Sequence, residues 1–435
     1  MDYLNLTGMK TTGIIPSTNN LRVLAELMTE PGTCPHCPNS LFRLKPHGTK
    51  TQVITDASAR GKTVEVAVRR RRYRCPVCGR TCLQPFVGVD ERRGMTERLV
   101  EFVKNELLLK PFNQVAEETG VAPSTVRAIF REHVTRLEQS VCFETPRVLG
   151  LDGVYIRRKE RLVLTDIERR RVVQITASIK ERSVAQALLR LPERRRVEVV
   201  TLDISASLRR AVLHALPWAV IVVDRFHIQR MANQAVDRVR RRIYLGMTRY
   251  DRRLVMRDPR LLRKHRDQLK RMGKLDVVEE WLDRLPKLKA AYDLKEAFFE
   301  VWYSSCSTTA WHRYDAWERS VPEGMRTKET FGPLLTALRN WGDEVMNFFD
   351  HRFTNAYAES ANNLIKTVQR EGRRCDFETV RAKVLYGGAV KRERQPDDTE
   401  ESDTTQGGVE VAGLPTRLRE LSEQHADITL EGGER

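Results

Sequence analysis

The order of apolar and polar positions divides the chain into regions with different predicted structure. Alternation in Val64-Glu-Val-Ala-Val68 predicts strands over Thr51–Asp56 and Thr63–Tyr73. Asn20–Glu30 fits a short helix. From residue 95 to residue 140, apolar residues recur every three or four positions, which predicts helices. After residue 147, short apolar runs alternate with helical segments, so this region is predicted to be an α/β unit.

The helical region resembles a helix-turn-helix in its local pattern. Thr96–Leu109 is predicted to be one helix, the segment from Phe112 ends at the turn residue Gly120, and Ser124 is the expected N-cap of the next helix. The start of that last helix normally enters the DNA major groove. The candidate DNA contacts are therefore Ser124, Thr125, Arg127 and Arg131. An ordinary helical hairpin is the alternative.

The α/β region has the element order of a ribonuclease H-like fold. The predicted order is three strands, a helix, a strand, a helix and a strand: Val148–Ile156, Leu162–Glu168, Arg171–Ser178, Val184–Leu191, Val197–Leu202, Ser207–Leu216 and Ala219–Val223. In that fold the first and fourth strands are neighbours. Between Asp224 and Glu359 the sequence is almost wholly helical, with a break at Pro286. Five tryptophans in this part predict an inserted helical subdomain with a small core.

Three carboxylates stand at the ends of predicted elements. Asp152 lies at the end of an apolar run in the first strand, Asp203 follows the fourth strand, and Glu359 begins a helix that extends to Arg370. Clustered carboxylates can hold two Mg²⁺ or Mn²⁺ ions about 4 Å apart, an arrangement that supports hydrolysis and transesterification of a phosphodiester. Each acid also suits a turn or a helix start. Asp224 is an alternative to Asp203 at the second metal-binding position, but strand order favours Asp203. Asp166 is a weaker alternative to Asp152 at the first position.

Paired cysteines near the N-terminus predict a structural zinc ribbon. Cys34-Pro-His-Cys37 and Cys75-Pro-Val-Cys78 have the spacing of two metal-binding knuckles, and Cys82 is an alternative to Cys78. A β-hairpin between the pairs would bring them together. The strand that leads into the second knuckle is dense in arginine, and its candidate phosphate contacts are Arg70, Arg72 and Arg74.

Charge supports a nucleic-acid partner. Lys and Arg outnumber Asp and Glu by 76 − 58 = 18, and the pI is near 9.7. The N-terminus lacks the pattern of a secretory signal, and no apolar stretch approaches the roughly 18 residues of a membrane span. We therefore expect a cytoplasmic protein without a membrane partner, associated with the nucleoid when bound to DNA. The acidic composition after residue 393 predicts disorder, with a transient helix over Leu414–Gln424.

These observations predict a multidomain α+β protein in which an all-helical insertion interrupts the ribonuclease H-like domain. The expected segments are an N-terminal segment (1–30), a zinc ribbon (31–90), a helix-turn-helix domain (91–140), the first part of the catalytic core (146–228), the helical insertion (229–350), the last part of the core (351–392) and the acidic tail (393–435).

In this order, the motifs resemble those of bacterial insertion-sequence transposases of the ISL-three family, which are Asp-Asp-Glu enzymes. The resemblance covers roughly residues 30 to 390. It is carried by the zinc ribbon, the helix-turn-helix and four motifs: Gly150-Leu-Asp152-Gly, Thr201-Leu-Asp203-Ile-Ser, Val223-Asp224-Arg-Phe-His227 and Asn355-Ala-Tyr-Ala-Glu359-Ser-Ala-Asn-Asn-Leu-Ile-Lys366. The family often has Asn-Gly ahead of the third acid, where this chain has Asn355-Ala356.

The resemblance implies roles for particular residues. Asp152, Asp203 and Glu359 would be the catalytic acids, and Asp224 and His227 match an accessory Asp/Cys-x-x-His motif. Separately, Lys366 lies seven positions after Glu359, so it would share that helix face and could reach a phosphate. The resemblance also implies cleavage and strand transfer of double-stranded DNA, binding to terminal inverted repeats and target DNA, and a homodimer or higher oligomer on the DNA ends.

Three other functions compete with this interpretation. A catalytically inactive descendant acting as a DNA-binding repressor would share the N-terminal modules, but it would not need the acids. A structure-specific nuclease of the same fold would need neither a two-part DNA reader nor a large insertion. An RNA-binding zinc protein would explain the charge and the cysteines but not the spaced acids.

Overall fold

The computed structural model describes residues 6–37, 43–59, 61–250, 252, 258–372 and 375–394. The described residues form two compact units, one containing those up to residue 143 together with those from 365 to 394, and the other containing those from 144 to 364. Residues 365–392, which the sequence assigns to the last part of the catalytic core, therefore group with the N-terminal residues. The predicted acidic tail from residue 395 onward and the helix Leu414–Gln424 lie outside the described residues.

The first unit contains a sheet with strand order β1-β2-β4-β3-β7-β6, and β5 pairs with β4. Its strands are β1 (Met9–Pro16), β2 (Asn20–Leu27), β3 (Lys45–Ala59), β4 (Lys62–Arg74), β5 (Thr81–Leu83), β6 (Val89–Asp90) and β7 (Met95–Thr96). The predicted hairpin of β3 and β4 is confirmed. The predicted helix over Asn20–Glu30 is wrong. Val23, Ala25 and Leu27 are buried at every second position, which is the period of a strand with one covered face.

Helices α1 (Glu97–Leu109), α2 (Phe112–Thr119) and α3 (Pro123–Ser140) follow the first sheet. Gly120 ends α2 in the left-handed region at φ 68°, where glycine carries no Cβ penalty. The predicted N-cap is wrong by two residues. Ala122 caps α3 and Pro123 occupies its first turn, because the fixed φ of proline suits that position. Ser124 therefore lies inside the helix.

Two further helices lie at the C-terminal end of the described chain: α12 (Ala356–Glu371) and α13 (Phe377–Arg394). The first nine residues of α12 belong to the second unit, and its remainder belongs to the first. Within the first unit α13 packs against α1, and the Lys383 ammonium donates to the Lys110 carbonyl oxygen at 2.5 Å. The helix-turn-helix is therefore part of a larger helical layer.

The second unit contains a five-stranded sheet with strand order β10-β9-β8-β11-β12. Its strands are β8 (Val148–Ile156), β9 (Lys159–Asp166), β10 (Arg171–Ile175), β11 (Val199–Leu202) and β12 (Val220–Val223). Strands β8, β9 and β10 are antiparallel, whereas β11 runs parallel to β8 and β12 runs parallel to β11. Helices α4 (Glu181–Leu189) and α5 (Ala206–Ala215) pack on each other. The predicted strand order, with the first and fourth strands adjacent, is confirmed.

The predicted helical insertion follows β12. It consists of α6 (Arg225–Leu245), α7 (Arg266–Arg271), α8 (Leu275–Arg284), α9 (Pro286–Phe299), α10 (Ser307–Ser320) and α11 (Gly332–His351). Pro286 begins α9, so the predicted break is confirmed. Trp281, Trp302, Trp317 and Trp341 are buried. They belong to the same apolar core as the sheet, because α11 packs along β12. In the described part of the chain, no helix has the length and apolar character needed to cross a membrane.

Candidate active site

The register of the second sheet aligns three aspartates at one edge. Leu202 at the end of β11 pairs with Leu151 of β8 on one side and with Val223 of β12 on the other. The residue after each of these three is an aspartate: Asp152 within β8, Asp203 directly after β11 and Asp224 directly after β12. Because these strands are parallel, all three carboxylates follow the same end of the sheet, and Asp203 lies on the strand between the other two.

The fourth carboxylate comes from the first turn of α12. Glu359 is exposed, and its backbone N–H donates to the Asn355 carbonyl oxygen at 3.2 Å. After burial and the charge of Asp203, the negative charge of Glu359 is a further, smaller cause of the raised pKa of both Asp152 and Asp224. Glu359 therefore belongs to the same electrostatic cluster, although 134 residues lie between it and Asp224 in the sequence.

Burial and mutual repulsion make two of these aspartates hard to ionise. Burial, followed by the negative charge of Asp203, raises the pKa of Asp152 to about 6. The same two causes, in the same order, raise the pKa of Asp224 to about 6. A carboxylate in a poorly solvated site beside like charges favours its neutral form. A bound cation would offset the repulsion between these carboxylates and favour their ionised forms.

Asp152 is oriented by two hydrogen bonds. The Gly153 backbone N–H donates to Oδ1 at 2.7 Å, and the Asn362 side-chain Nδ2 donates to Oδ2 at 2.7 Å. Asn362 lies on α12 three residues after Glu359, so it shares the helix face of that acid. Its Nδ2 also lies 3.2 Å from the Gly153 carbonyl oxygen. The helix that carries the third acid therefore also fixes the first.

His227 contacts Asp203 directly. Its Nδ1 lies 3.1 Å from Asp203 Oδ2, and its Nε2 lies 2.5 Å from a guanidinium nitrogen of Arg230. Because a guanidinium can only donate, Nε2 accepts, and Nδ1 carries the proton that is donated to Asp203. Helix α6 begins directly after Asp224, which places His227 in its first turn. This geometry orients Asp203.

Asp166 does not join this cluster. Asp166 lies on β9, where it pairs with Leu149 of the antiparallel strand β8, three positions before Asp152. Its Oδ1 accepts the Arg169 backbone N–H at 2.9 Å, and its Oδ2 lies 3.4 Å from Arg171 Nε. Asp166 therefore stabilises the turn between β9 and β10.

The donor set of the four acids fits a divalent metal ion. Carboxylate oxygens are the hard ligands that Mg²⁺ and Mn²⁺ prefer. Within the described ranges, the only ion-pair partner within 4.0 Å of any of these acids is His227. No Lys or Arg of that part of the chain therefore forms an ion pair within 4.0 Å of these four acids. Lys366 lies in the first unit, and its accessory role stays a prediction.

The zinc-ribbon cysteines form a second, separate cluster. The sulfurs of Cys34 and Cys78 are 3.7 Å apart, those of Cys37 and Cys75 are 3.5 Å apart, and all four lie within 4.8 Å of one another. Four sulfurs at about 2.3 Å from a tetrahedral Zn²⁺ would be roughly 3.8 Å apart, so the spacing fits zinc. Cys82 lies on β5 opposite Tyr73 and is not in this group. The alternative ligand is therefore not supported.

The second knuckle has the expected backbone geometry. The Cys78 backbone N–H donates to the Cys75 sulfur, and this bond, against the opposing effect of burial and with help from the Val77 N–H, lowers the pKa of Cys75 to about 6. A hydrogen bond to Cys75 raises the pKa of Cys37 to about 12. One thiolate is thus stabilised by the protein backbone itself, as metal binding requires.

The structure corrects one predicted DNA contact. Arg70 is only 4% exposed, its guanidinium donates to the Gln84 carbonyl oxygen at 2.6 and 2.9 Å, and it lies 4.0 Å above the Phe86 ring. Gln84 and Phe86, which follow β5, lie against the Arg70 side chain and cover it. Arg72 and Arg74 are exposed. In the helix-turn-helix, Ser124, Arg127 and Arg131 are exposed and Thr125 is partly buried.

The chain combines a ribonuclease H-like sheet, which carries a carboxylate cluster at one edge, with a zinc ribbon and a helix-turn-helix. This combination defines a protein of the DNA-transposing class. Residues 149–384 match the transposase model of the ISL3 family. Residues 30–78 match the zinc finger of transposases IS204/IS1001/IS1096/IS1165, and residues 86–134 match the helix-turn-helix domain of transposase family ISL3. The chain therefore belongs to the ISL3 family of transposases. A search of curated proteins found no match.

Proposed function

We propose that this protein cleaves DNA at the terminal inverted repeats of an insertion sequence and joins the freed ends to target DNA, acting as a homodimer or higher oligomer. Asp152, Asp203 and Glu359 would hold two divalent metal ions. The observation that carries this proposal is the convergence of these acids, which come from distant parts of the sequence, on one edge of the sheet. The rise in the pKa of Asp152, caused by burial and then by the charges of Asp203 and Glu359, supports it.

Asp203 is the better candidate for the second acid. Its side chain is 34% exposed, whereas Asp224 is 2% exposed. The Asp224 carboxylate accepts the Phe226 backbone N–H at 3.5 Å and the Asn355 backbone N–H. A carboxylate that ligates a metal ion needs free lone pairs on an accessible oxygen. We therefore assign Asp224 a supporting role beneath Asp203.

In the proposed reaction the metal ions and the protein side chains have different roles. Bound Mg²⁺ or Mn²⁺ would activate the attacking water or 3′ hydroxyl and stabilise charge on the leaving oxygen. The protein holds the acids in place: Asn362 orients Asp152, and His227 orients Asp203. Water attack separates the element from flanking DNA, and 3′-hydroxyl attack joins it to the target.

A cleavage assay tests this proposal. The substrate is a DNA end from the native element, incubated with Mg²⁺ or Mn²⁺, and the proteins are the wild type, Asp203→Asn and Asp224→Asn. We expect Asp203→Asn to lose cleavage and strand transfer, Asp224→Asn to retain part of both, and each variant to bind DNA normally. Activity in Asp203→Asn with none in Asp224→Asn would reverse the assignment. A wild type that binds ends and never cuts would favour the repressor function.

DNA binding by the zinc ribbon has its own test. Replacing exposed Arg72 or Arg74 with alanine should weaken binding and reduce the slope of log affinity against log salt by about one per lost phosphate contact. Arg69→Ala is the matched control, because Arg69 is an exposed β4 arginine already 3.5 Å from Glu26. Equal slopes for all three variants would exclude a special role for Arg72 and Arg74.

A further inference from the structure

Asn355 is a fully buried amide located between the strands that carry the acids. It is 1% exposed. Its Nδ2 lies 3.3 Å from the Leu151 carbonyl oxygen on β8, and its Oδ1 accepts the Thr201 hydroxyl of β11 at 3.2 Å. One side chain therefore links two neighbouring strands close to the residues that precede Asp152 and Asp203.

The backbone of Asn355 contacts the other two acids. Its N–H donates to the Asp224 carboxylate, and its carbonyl oxygen accepts the backbone N–H of Glu359 at the start of α12. The four hydrogen bonds of this single residue thus lead to all four acids. Two of them reach an acid residue directly, and two reach a residue one or two positions before an acid.

Gly150 of β8 lies beside this amide, in a part of the sheet that has no space for a side chain. A Cβ on Gly150 would lie closest to Thr165 Oγ1, then 2.6 Å from Ile167 Cδ1 and 3.0 Å from Asn355 Oδ1, all tighter than ordinary van der Waals contact. An alanine at this position would therefore push against the amide. The local sequence of β8 is compatible with Asn355 in this location.

We propose that Asn355 is a positioning residue that sets the mutual placement of the four acids and thereby the affinity of the cluster for divalent metal. This inference rests on the proposed function, since it assumes that the acids bind metal. Asn355 itself is buried and does not reach substrate. Groups that orient metal ligands without touching the metal typically change metal affinity or activity by 10- to 100-fold when removed.

The test measures Mn²⁺ binding by electron paramagnetic resonance on the full-length, zinc-loaded protein without DNA. The proteins are the wild type, Asn355→Ala and a control, Asn347→Ala. Asn347 is matched because its Nδ2 also donates to a strand carbonyl oxygen, that of Ile221, at 2.9 Å. It lies on α11, and its partner Ile221 is three positions before Asp224, further from an acid than any residue that Asn355 bonds. Mn²⁺ binding that remains in the double variant Asp152→Asn/Asp203→Asn does not depend on the acid cluster, and it is subtracted.

We expect Asn355→Ala to bind Mn²⁺ about 10- to 100-fold more weakly than the wild type, and Asn347→Ala to bind it normally. Equal affinity of the wild type and Asn355→Ala would overturn this inference and leave the proposed function intact. A wild type without acid-dependent Mn²⁺ binding would instead overturn the proposed function.

A second variant covers the case in which Asn355→Ala does not fold. Thr201→Val removes only the hydroxyl that donates to Asn355 Oδ1 and keeps nearly the same shape. It should weaken Mn²⁺ binding several-fold, with an unchanged tryptophan spectrum as the check on folding. Unchanged Mn²⁺ affinity in folded Thr201→Val would also overturn the inference.

Discussion

Replacing Asp224 with asparagine should stabilise the protein at neutral pH in the absence of Mg²⁺. Asp224 is 2% exposed, and its pKa is raised from 3.8 to about 6 by burial and by the charge of Asp203. An asparagine retains an oxygen that can accept the backbone N–H groups of Phe226 and Asn355, and it is a good N-cap for α6. The substitution therefore removes the repelled charge and leaves its hydrogen bonds in place.

The size of the stabilisation by Asp224→Asn, and its dependence on pH, follow from the raised pKa of Asp224. A rise of about two pKa units corresponds to at most about 3 kcal/mol in the free energy of unfolding. Because the folded-state pKa lies above the unfolded value, the stability associated with the protonated acid is complete below pH 3.8 and is lost as pH rises through about 6. Asp224→Asn should match the wild type near pH 4 and exceed it by up to about 3 kcal/mol near pH 7.5.

Urea unfolding followed by tryptophan fluorescence measures this difference in the free energy of unfolding for the second unit of the chain. All six tryptophans lie between residues 218 and 341, within the second unit. The signal therefore reports the unit that contains Asp224. Protein with zinc retained is compared at pH 4 and pH 7.5, without Mg²⁺ and without chelators that would remove zinc.

Asp166→Asn is the matched control for this experiment. Asp166 is also 2% exposed, but it lies 3.4 Å from Arg171 and accepts the Arg169 N–H. Its replacement should destabilise the unit at pH 7.5, the opposite sign from Asp224→Asn. If Asp224→Asn is less stable than the wild type at pH 7.5, or if the difference does not change between the two pH values, repulsion within the acid cluster is not the cause.

Three other substitutions test separate parts of the structure. His227→Asn should lower the cleavage rate by about 10- to 100-fold with DNA affinity unchanged, because Asp203 loses its orienting imidazole; a gel-shift assay is the control. Cys78→Ser should reduce the zinc content measured by atomic absorption, whereas Cys82→Ser should retain one zinc per chain; equal loss in both would place Cys82 in the site. Gly150→Ala should lower the free energy of unfolding by about 1–3 kcal/mol through overpacking, measured by urea denaturation, and no loss would mean that the sheet can accommodate the added methyl group.

The features that the sequence predicts correctly are those that depend on local pattern. Alternation defines the strands, helical spacing and Gly120 define the helix-turn-helix, and paired cysteines define the zinc cluster. The order of strands and helices then predicts that β8 and β11 are neighbours, and the sheet confirms this. The same patterns predict which ends of these strands carry acids.

The features that the sequence does not predict depend on contacts between distant segments. Arg70 and Arg72 are equivalent in a strand of consecutive arginines, and only the placement of Gln84 and Phe86 buries one of them. The roles of Asn355 and Asn362 are likewise visible only when α12 is placed beside β8. A polar residue in a helix motif looks like a cap or a surface residue until its partners across the fold are known.

The position of Glu359 presents a problem that sheet register cannot solve. Hydrogen bonding between parallel strands fixes the three aspartates relative to one another, but the long helical insertion separates Glu359 from them. The insertion packs on the sheet through α11, which leaves the start of α12 to be fixed separately. Asn355 supplies this link, because its side chain bonds the strands and its carbonyl oxygen holds the N–H of Glu359. The proposed role of Asn355 therefore predicts that an insertion of different length would leave Glu359 in place, provided that Asn355 and the strand groups it bonds are retained.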